Sequence, residues 1–145
     1  MRSHFLHRAA AAATVLSIVA VGCKKAPPPP PAAPPPAPVA VASVDLGKQL
    51  GADKRVVQAM TTFGVRDTIY ASVATTGTAT SAVLTAFWTF QTGQKVDSTA
   101  TSIAPTGPAQ TEFHIVKASP WPKGKYKVAI WLDGQVAGEK EFEVR

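Results

Sequence analysis

The sequence predicts an all-β fold: a two-sheet antiparallel β-sandwich of seven or eight strands over residues 41–145, carried behind an unstructured proline-rich stretch. Three observations predict it. Beyond residue 41 apolar and polar side chains alternate with a period of two, the pattern of half-buried strands. Clusters of Gly, Pro, Asp and Thr separate these runs at roughly the 8–12-residue spacing of sandwich strands. Helical periodicity is scarce in the same region. A strand with one greasy face must bury it against another such face, and two stacked sheets do this. About a hundred residues suffices for one modest core.

The elements follow from the N-terminus. Arg2 and Arg8 form a positive segment, and Ala9 to Gly22 is an apolar run of 14 residues. A membrane-spanning helix needs roughly 20 residues. The shorter run ending in small residues suits a signal peptide, so residues 1–22 are expected to be one. The single cysteine, Cys23, has no intrachain partner, and a leftover thiol in an exported chain requires a role of its own. The segment Ala20-Val21-Gly22-Cys23 resembles the lipobox of bacterial lipoproteins, departing from it at Ala20, where leucine is usual. That resemblance implies a diacylglycerol on the Cys23 thiol, cleavage before Cys23 and fatty acylation, palmitate being typical, of the new amine. Two or three chains anchor stably where one binds only marginally. Lys24 rather than aspartate after the cysteine implies, by the same resemblance, the outer membrane of a two-membrane bacterium, facing the periplasm. A plain secretory peptide with an incidental cysteine is the alternative.

Residues 23–40 read as lipid anchor and linker. Nine of the 13 prolines lie between Pro27 and Pro38. Proline fixes φ and lacks an amide donor, so neither helix nor sheet forms easily. A polyproline II rod rises about 3.1 Å per residue, so fifteen residues reach on the order of 45 Å. After an acylated cysteine this is a spacer; a ligand for a polyproline-recognising domain is the other reading.

Residues 41–145 form the sandwich. Val41 to Leu50 is a first strand. Gly51 to Thr62 fits either a short helix or a loop with an edge strand near Val56. Thr68 to Ala74 places Ile69, Ala71 and Val73 on one face. Ala82 to Phe90 places Leu84, Ala86, Trp88 and Phe90 together, and a strand is expected near Val96 to Ile103. In Thr111 to Lys117, Phe113 and Ile115 point together. Tyr126, Val128, Ile130 and Leu132 form the clearest stripe. Phe142 and Val144 close the chain, with Glu139, Glu141 and Glu143 on the opposite face.

The last hairpin turns at Asp133-Gly134. A two-residue turn would pair Leu132 with Gln135 and set Tyr126 and Val128 opposite Glu141 and Glu139, placing carboxylates on the core side at high cost. A three-residue loop, Leu132-Asp133-Gly134 with Gly134 left-handed, shifts the register by one. It would set Lys127 opposite Glu139 and Lys125 opposite Glu141 in solvent, so the three-residue loop is expected.

The run Trp121-Pro122-Lys123-Gly124-Lys125-Tyr126-Lys127-Val128, then Leu132-Asp133-Gly134, then Phe142-Glu143-Val144, resembles the closing strands of immunoglobulin-like or fibronectin-III-like domains in bacterial envelope lipoproteins. Phe63 to Val73, with Asp67-Thr68-Ile69-Tyr70-Ala71, is similar to an early strand of the same group. The resemblance covers roughly residues 41–145 and implies the fold; sandwiches host many roles, so it assigns no function.

The formal charge of +6 and pI near 9.7 suggest nucleic acid at first sight. From Val39 onward, however, 11 Lys or Arg face 9 Asp or Glu, leaving +2. Nucleic-acid binders show a clustered basic face, so no nucleic-acid partner is expected. His4 and His7 belong to the signal peptide. His114 lies opposite in phase to Phe113 and Ile115 and reads as a surface residue. One histidine and one acylated cysteine make no usual zinc site. No nucleophile elbow, phosphate loop or calcium loop is present. No catalytic residues, metal or cofactor are therefore expected, and the chain reads as no enzyme. Trp88 shares the core stripe. Trp131 is out of phase with Tyr126, Val128 and Ile130 and falls on the outer face, and Trp121 sits in a proline-flanked loop. These two are the candidate partner contacts; cover of Trp131 by Lys127, Gln135 or a loop is the competing reading. The expected role is a non-catalytic interaction or structural module, anchored to the membrane through Cys23 and engaging another envelope protein. The alternatives are an inhibitor or accessory subunit of an envelope complex, acting through Ala118 to Lys125, and a hydrolase with an unrecognised site around His114.

Overall fold

The computed structural model describes residues 37–145. Eight strands follow one another: β1 (Ala40–Gly47), β2 (Thr62–Phe63), β3 (Ile69–Thr76), β4 (Ala82–Phe90), β5 (Gln94–Ile103), β6 (Ala109–Ile115), β7 (Gly124–Leu132) and β8 (Gln135–Val144). They form two sheets, ordered β1-β3-β6 and β2-β8-β7-β4-β5. All pairings are antiparallel except β2 with β8. The two-sheet sandwich read from the alternation is present. Gly51 to Thr62 holds no helix: a turn is closed by the Leu50–Val56 bridge, and the chain then leads into the two-residue edge strand β2.

The core lies between the sheets and comes from the stripes visible in the sequence. Ile69, Ala71 and Val73 on β3 face Leu84, Ala86 and Trp88 on β4 and Tyr126, Val128 and Ile130 on β7, all buried. Phe63, Phe113, Ile115, Phe142 and Val144 complete the layer. Aromatic rings close one end: Tyr126 stacks on Phe142 at 5.3 Å, and Trp88 meets Phe142 edge-on at 6.0 Å. The Trp88 indole N–H has no hydrogen-bond acceptor among the described residues.

Two glycines permit close crossings. Gly77 has φ +83°, and a Cβ there would lie 2.2 Å from the Pro38 carbonyl oxygen. The chain entering β1 is held here, with Thr78 N–H donating to Ala37 O at 3.0 Å. On the core side of β8, a Cβ on Gly138 would lie 3.0 Å from Val44 Cγ2, so the missing side chain lets β1 pack against β8.

The β7–β8 hairpin corrects the expected loop. Its turn is the two-residue one: Leu132 pairs with Gln135, and Asp133 and Gly134 take φ of +48° and +82°. A bulge then places Trp131 opposite Val136 and Ile130 opposite Gly138, with Ala137 as the extra residue. The bulge supplies the one-residue shift that the burial argument demands, in the opposite direction from a longer loop. Lys127 accordingly pairs with Glu141 and Lys125 with Glu143. Lys127 Nζ reaches diagonally to Glu139 Oε1 at 3.1 Å. The carboxylates remain on the solvent side.

A candidate interaction surface on the outer face of the large sheet

On β4 the residues out of phase with the core are Val83, Thr85, Phe87 and Thr89; on β7 they include Lys127, Ala129 and Trp131. Register sets Phe87 opposite Ala129 and Thr85 opposite Trp131. Phe87 and Trp131 are therefore diagonal neighbours, with ring centroids 5.0 Å apart at 56°. Val136 stands beside Trp131 across the hairpin and is 55% exposed; Val83 is 39% exposed. Charged groups rim the patch. Lys95 Nζ lies 5.8 Å from the Phe87 ring centroid, and the Lys127–Glu139 pair flanks Ala129. Trp131 is half-buried by this packing and points outward, as its phase dictates.

Trp121 corrects the sequence reading. It is 4% exposed and belongs to the core, so it offers no face to a partner. Its Nε1–H donates to Asp67 O at 2.9 Å, and its backbone N–H donates to Val65 O at 2.7 Å. The segment following Gly64 thus receives the loop. Asp67 organises that segment: its carboxylate accepts from Gly64 N–H at 2.6 Å and from Lys48 Nζ at 2.6 Å. Burial alone would raise its pKa; the Lys48 hydrogen bond, the Gly64 amide and the Lys48 charge together bring it below the ordinary aspartate value. Beside it, Tyr126 O–H donates to Pro122 O at 2.8 Å. A tyrosine at the start of a strand, bonded back to the backbone a few residues upstream, is the tyrosine corner of immunoglobulin-like sandwiches. The spacing of Pro122 and Tyr126 carried that signal, and the sequence reading missed it.

His114 is exposed on the outer face of the small sheet, 5.5 Å from the Tyr70 ring. Ser72, on the same face, donates to Gln110 Oε1 at 3.3 Å. The clefts of about 610 and 720 Å³ hold one carboxylate each, Asp53 and Glu141, and neither is lined by His114. No group of three or more His, Cys, Asp or Glu positioned for a metal occurs among the described residues. Cys23 and the lipobox-like segment lie outside the described residues.

No family model matches the chain, and no curated protein sequence matches it. Solved structures match in fold. An immunoglobulin-like protein from Pseudomonas aeruginosa is 16% identical with a TM-score of 0.55, the match covering 75% of this chain and 98% of that one. The alkylpurine DNA glycosylase AlkC of Pseudomonas fluorescens, bound to DNA containing an abasic-site analogue, is 18% identical with a TM-score of 0.51. That match covers 75% of this chain and 31% of the glycosylase, so the chain spans about a third of that enzyme. At such identities the likeness is one of fold: the domain is an immunoglobulin-like sandwich.

Proposed function

We propose that this chain is a membrane-anchored envelope lipoprotein whose sandwich acts as a non-catalytic protein-interaction or structural module. The observation that carries the proposal is the outer-face pair Phe87–Trp131, extended by the exposed Val83 and Val136. Contiguous apolar surface rimmed by polar groups marks contact sites on soluble domains, and tryptophan is enriched among residues that dominate binding. The anchor is assigned to Cys23 on the lipobox-like segment, with the proline-rich stretch as spacer and the periplasmic face of the outer membrane as location. The partner is another envelope protein, docked on the large sheet's outer face.

Photo-crosslinking in intact envelopes tests this, with the probe at Thr85, beside Trp131 in register. A discrete adduct that Trp131→Ala abolishes is expected. An adduct pattern unchanged by Trp131→Ala overturns the docking face. Mass analysis of the protein purified from its host tests the anchor: a diacylated or triacylated N-terminus at Cys23 is expected, and an unmodified thiol overturns it.

A further inference from the structure

The open edge of β5 differs from the other sheet edges. The edge of β1 is broken by the bulge between Val41 and Ser43 and carries Asp45, and only its end is met by the following loop, where Met60 N–H donates to Leu46 O. The end of β8 is covered by β2, and β2 itself is only two residues long. The edge of β6 carries Glu112 at its centre. β5 is ten residues long and pairs on one side only, with β4. Its protective features sit at its start: Lys95, Asp97 and the irregularity at Trp88/Thr89. From Ser98 to Ile103 it has six uncharged residues and neither proline nor glycine. Natural sheets blunt free edges with charge, proline or bulges because an unprotected edge recruits another strand.

One hydrogen bond fixes which groups face outward. Ser98 N–H donates to Asp97 Oδ1 at 2.8 Å rather than to β4. Backbone groups alternate in direction along a strand, so Ser98, Ala100 and Ser102 turn their N–H and C=O to the open edge. In an antiparallel pair about a two-fold axis normal to the sheet, opposed residues share a face, and the alternation restricts the pairing to registers between residues of like parity. The register with Ala100 opposite its own copy satisfies this and sets Ser98 against Ser102, the Ser98 N–H exchanging Asp97 Oδ1 for the Ser102 carbonyl of the other copy. It pairs the uncharged run with itself. Each Asp97 then meets Ile103 of the other copy, with the two Asp97 residues roughly 20 Å apart along the strands, and no like charges are directly opposed.

We infer that the edge of β5 is a self-association surface whose occupant is a second copy of this chain, joined antiparallel through Ser98–Ile103 about Ala100. The inference deepens the interaction-module reading and rests on it: the sandwich would present its aromatic face to a partner while its edge pairs two copies. Ala100 is exposed and stands opposite Thr85 on the outer face, so a charge there leaves the core untouched.

Sedimentation velocity of the full chain in density-matched detergent tests this. The wild type is expected to sediment as a dimer. Ala100→Lys and Ala100→Glu, each opposing like charges across the axis, are expected to sediment at half that mass, and their equimolar mixture to recover the dimer. Cooperative unfolding with the wild-type denaturant slope shows that both variants fold, the midpoint falling only by what dimerisation contributes. A monomeric wild type, or variants that stay dimeric, overturns the inference, as does a mixture that stays monomeric. A monomeric wild type crosslinking through Ala100 to a different protein also overturns it, in favour of a foreign strand. If the Trp131-dependent adduct persists in any of these cases, only the strand pairing has failed; if that adduct is absent, the module reading has failed.

Discussion

Tyr126→Phe isolates one hydrogen bond of the fold. The phenol ring is buried between Phe142 at 5.3 Å and Phe90 at 4.7 Å, with Trp121 edge-on at 6.0 Å, and phenylalanine keeps all three contacts. What disappears is the 2.8 Å bond to Pro122 O. Pro122 is exposed, so water can satisfy its carbonyl in the variant. The cost then lies near the net worth of one bond, about 1 kcal/mol, rather than the larger penalty of an orphaned buried acceptor. For a domain of this size about 1 kcal/mol lowers the melting temperature by roughly 4–8 °C. Tyr126→Ala deletes the ring as well and should cost about 3–5 kcal/mol. Denaturant unfolding followed by tryptophan fluorescence gives both numbers, with unchanged slopes as the control. A pH arm adds a sign. Burial raises the Tyr126 pKa above its ordinary value of 10.0. The neutral hydroxyl's contribution is therefore fully present below about pH 10 and lost as pH rises through the folded-state pKa, a loss that Tyr126→Phe lacks. A phenylalanine variant as stable as the wild type, or as unstable as the alanine variant, would refute the corner.

Three further outcomes follow from the same contacts. Asp67→Asn should destabilise the fold at neutral pH; because the folded pKa lies below 3.8, that contribution is present above this value and fades as pH falls through the folded pKa. The gap between wild type and variant in unfolding free energy should therefore narrow progressively as pH falls below 3.8. Gly77→Ala combines a left-handed φ with a Cβ placed 2.2 Å from a backbone oxygen; it should cost about 3 kcal/mol or more, and a melting temperature within a degree or so of wild type would contradict the crossing at Pro38. Trp131→Ala should change stability far less than Trp88→Ala, since Trp88 is wholly buried; Trp88→Ala should cost about 3–5 kcal/mol, and comparable losses in a thermal melt would contradict the outward placement of Trp131.

Side-chain parity was the legible part of the molecule. Ile69, Leu84, Trp88, Val128 and Phe142 announce their burial by spacing alone, because a strand alternates its faces. The outward position of Trp131 was readable for the same reason. The requirement that Glu139, Glu141 and Glu143 stay out of the core was readable too, yet the bulge at Ala137 was not: a longer loop and a bulge shift the register with the same parity, and only the backbone distinguishes them. Trp121 escaped because its burial depends on a hydrogen bond to Asp67 across 54 residues of sequence, which no local period encodes. β2 escaped for a similar reason: two residues carry no period, and Thr62 and Phe63 become a strand only through β8. Phe87 was missed as an outer-face residue, although its place one step out of phase in β4 was enough to turn it, half-buried, away from the core.

Hydroxyl-radical footprinting with residue-level mass detection, on the purified full chain and in intact envelopes, tests the outer aromatic face most directly. Trp88 and Trp121 should resist oxidation in both settings, while Trp131 and Phe87 are oxidised in the purified protein and shielded in envelopes. Equal oxidation of Trp131 in the two settings would contradict a partner on that face, and oxidation of Trp88 in the purified protein would contradict the sandwich itself.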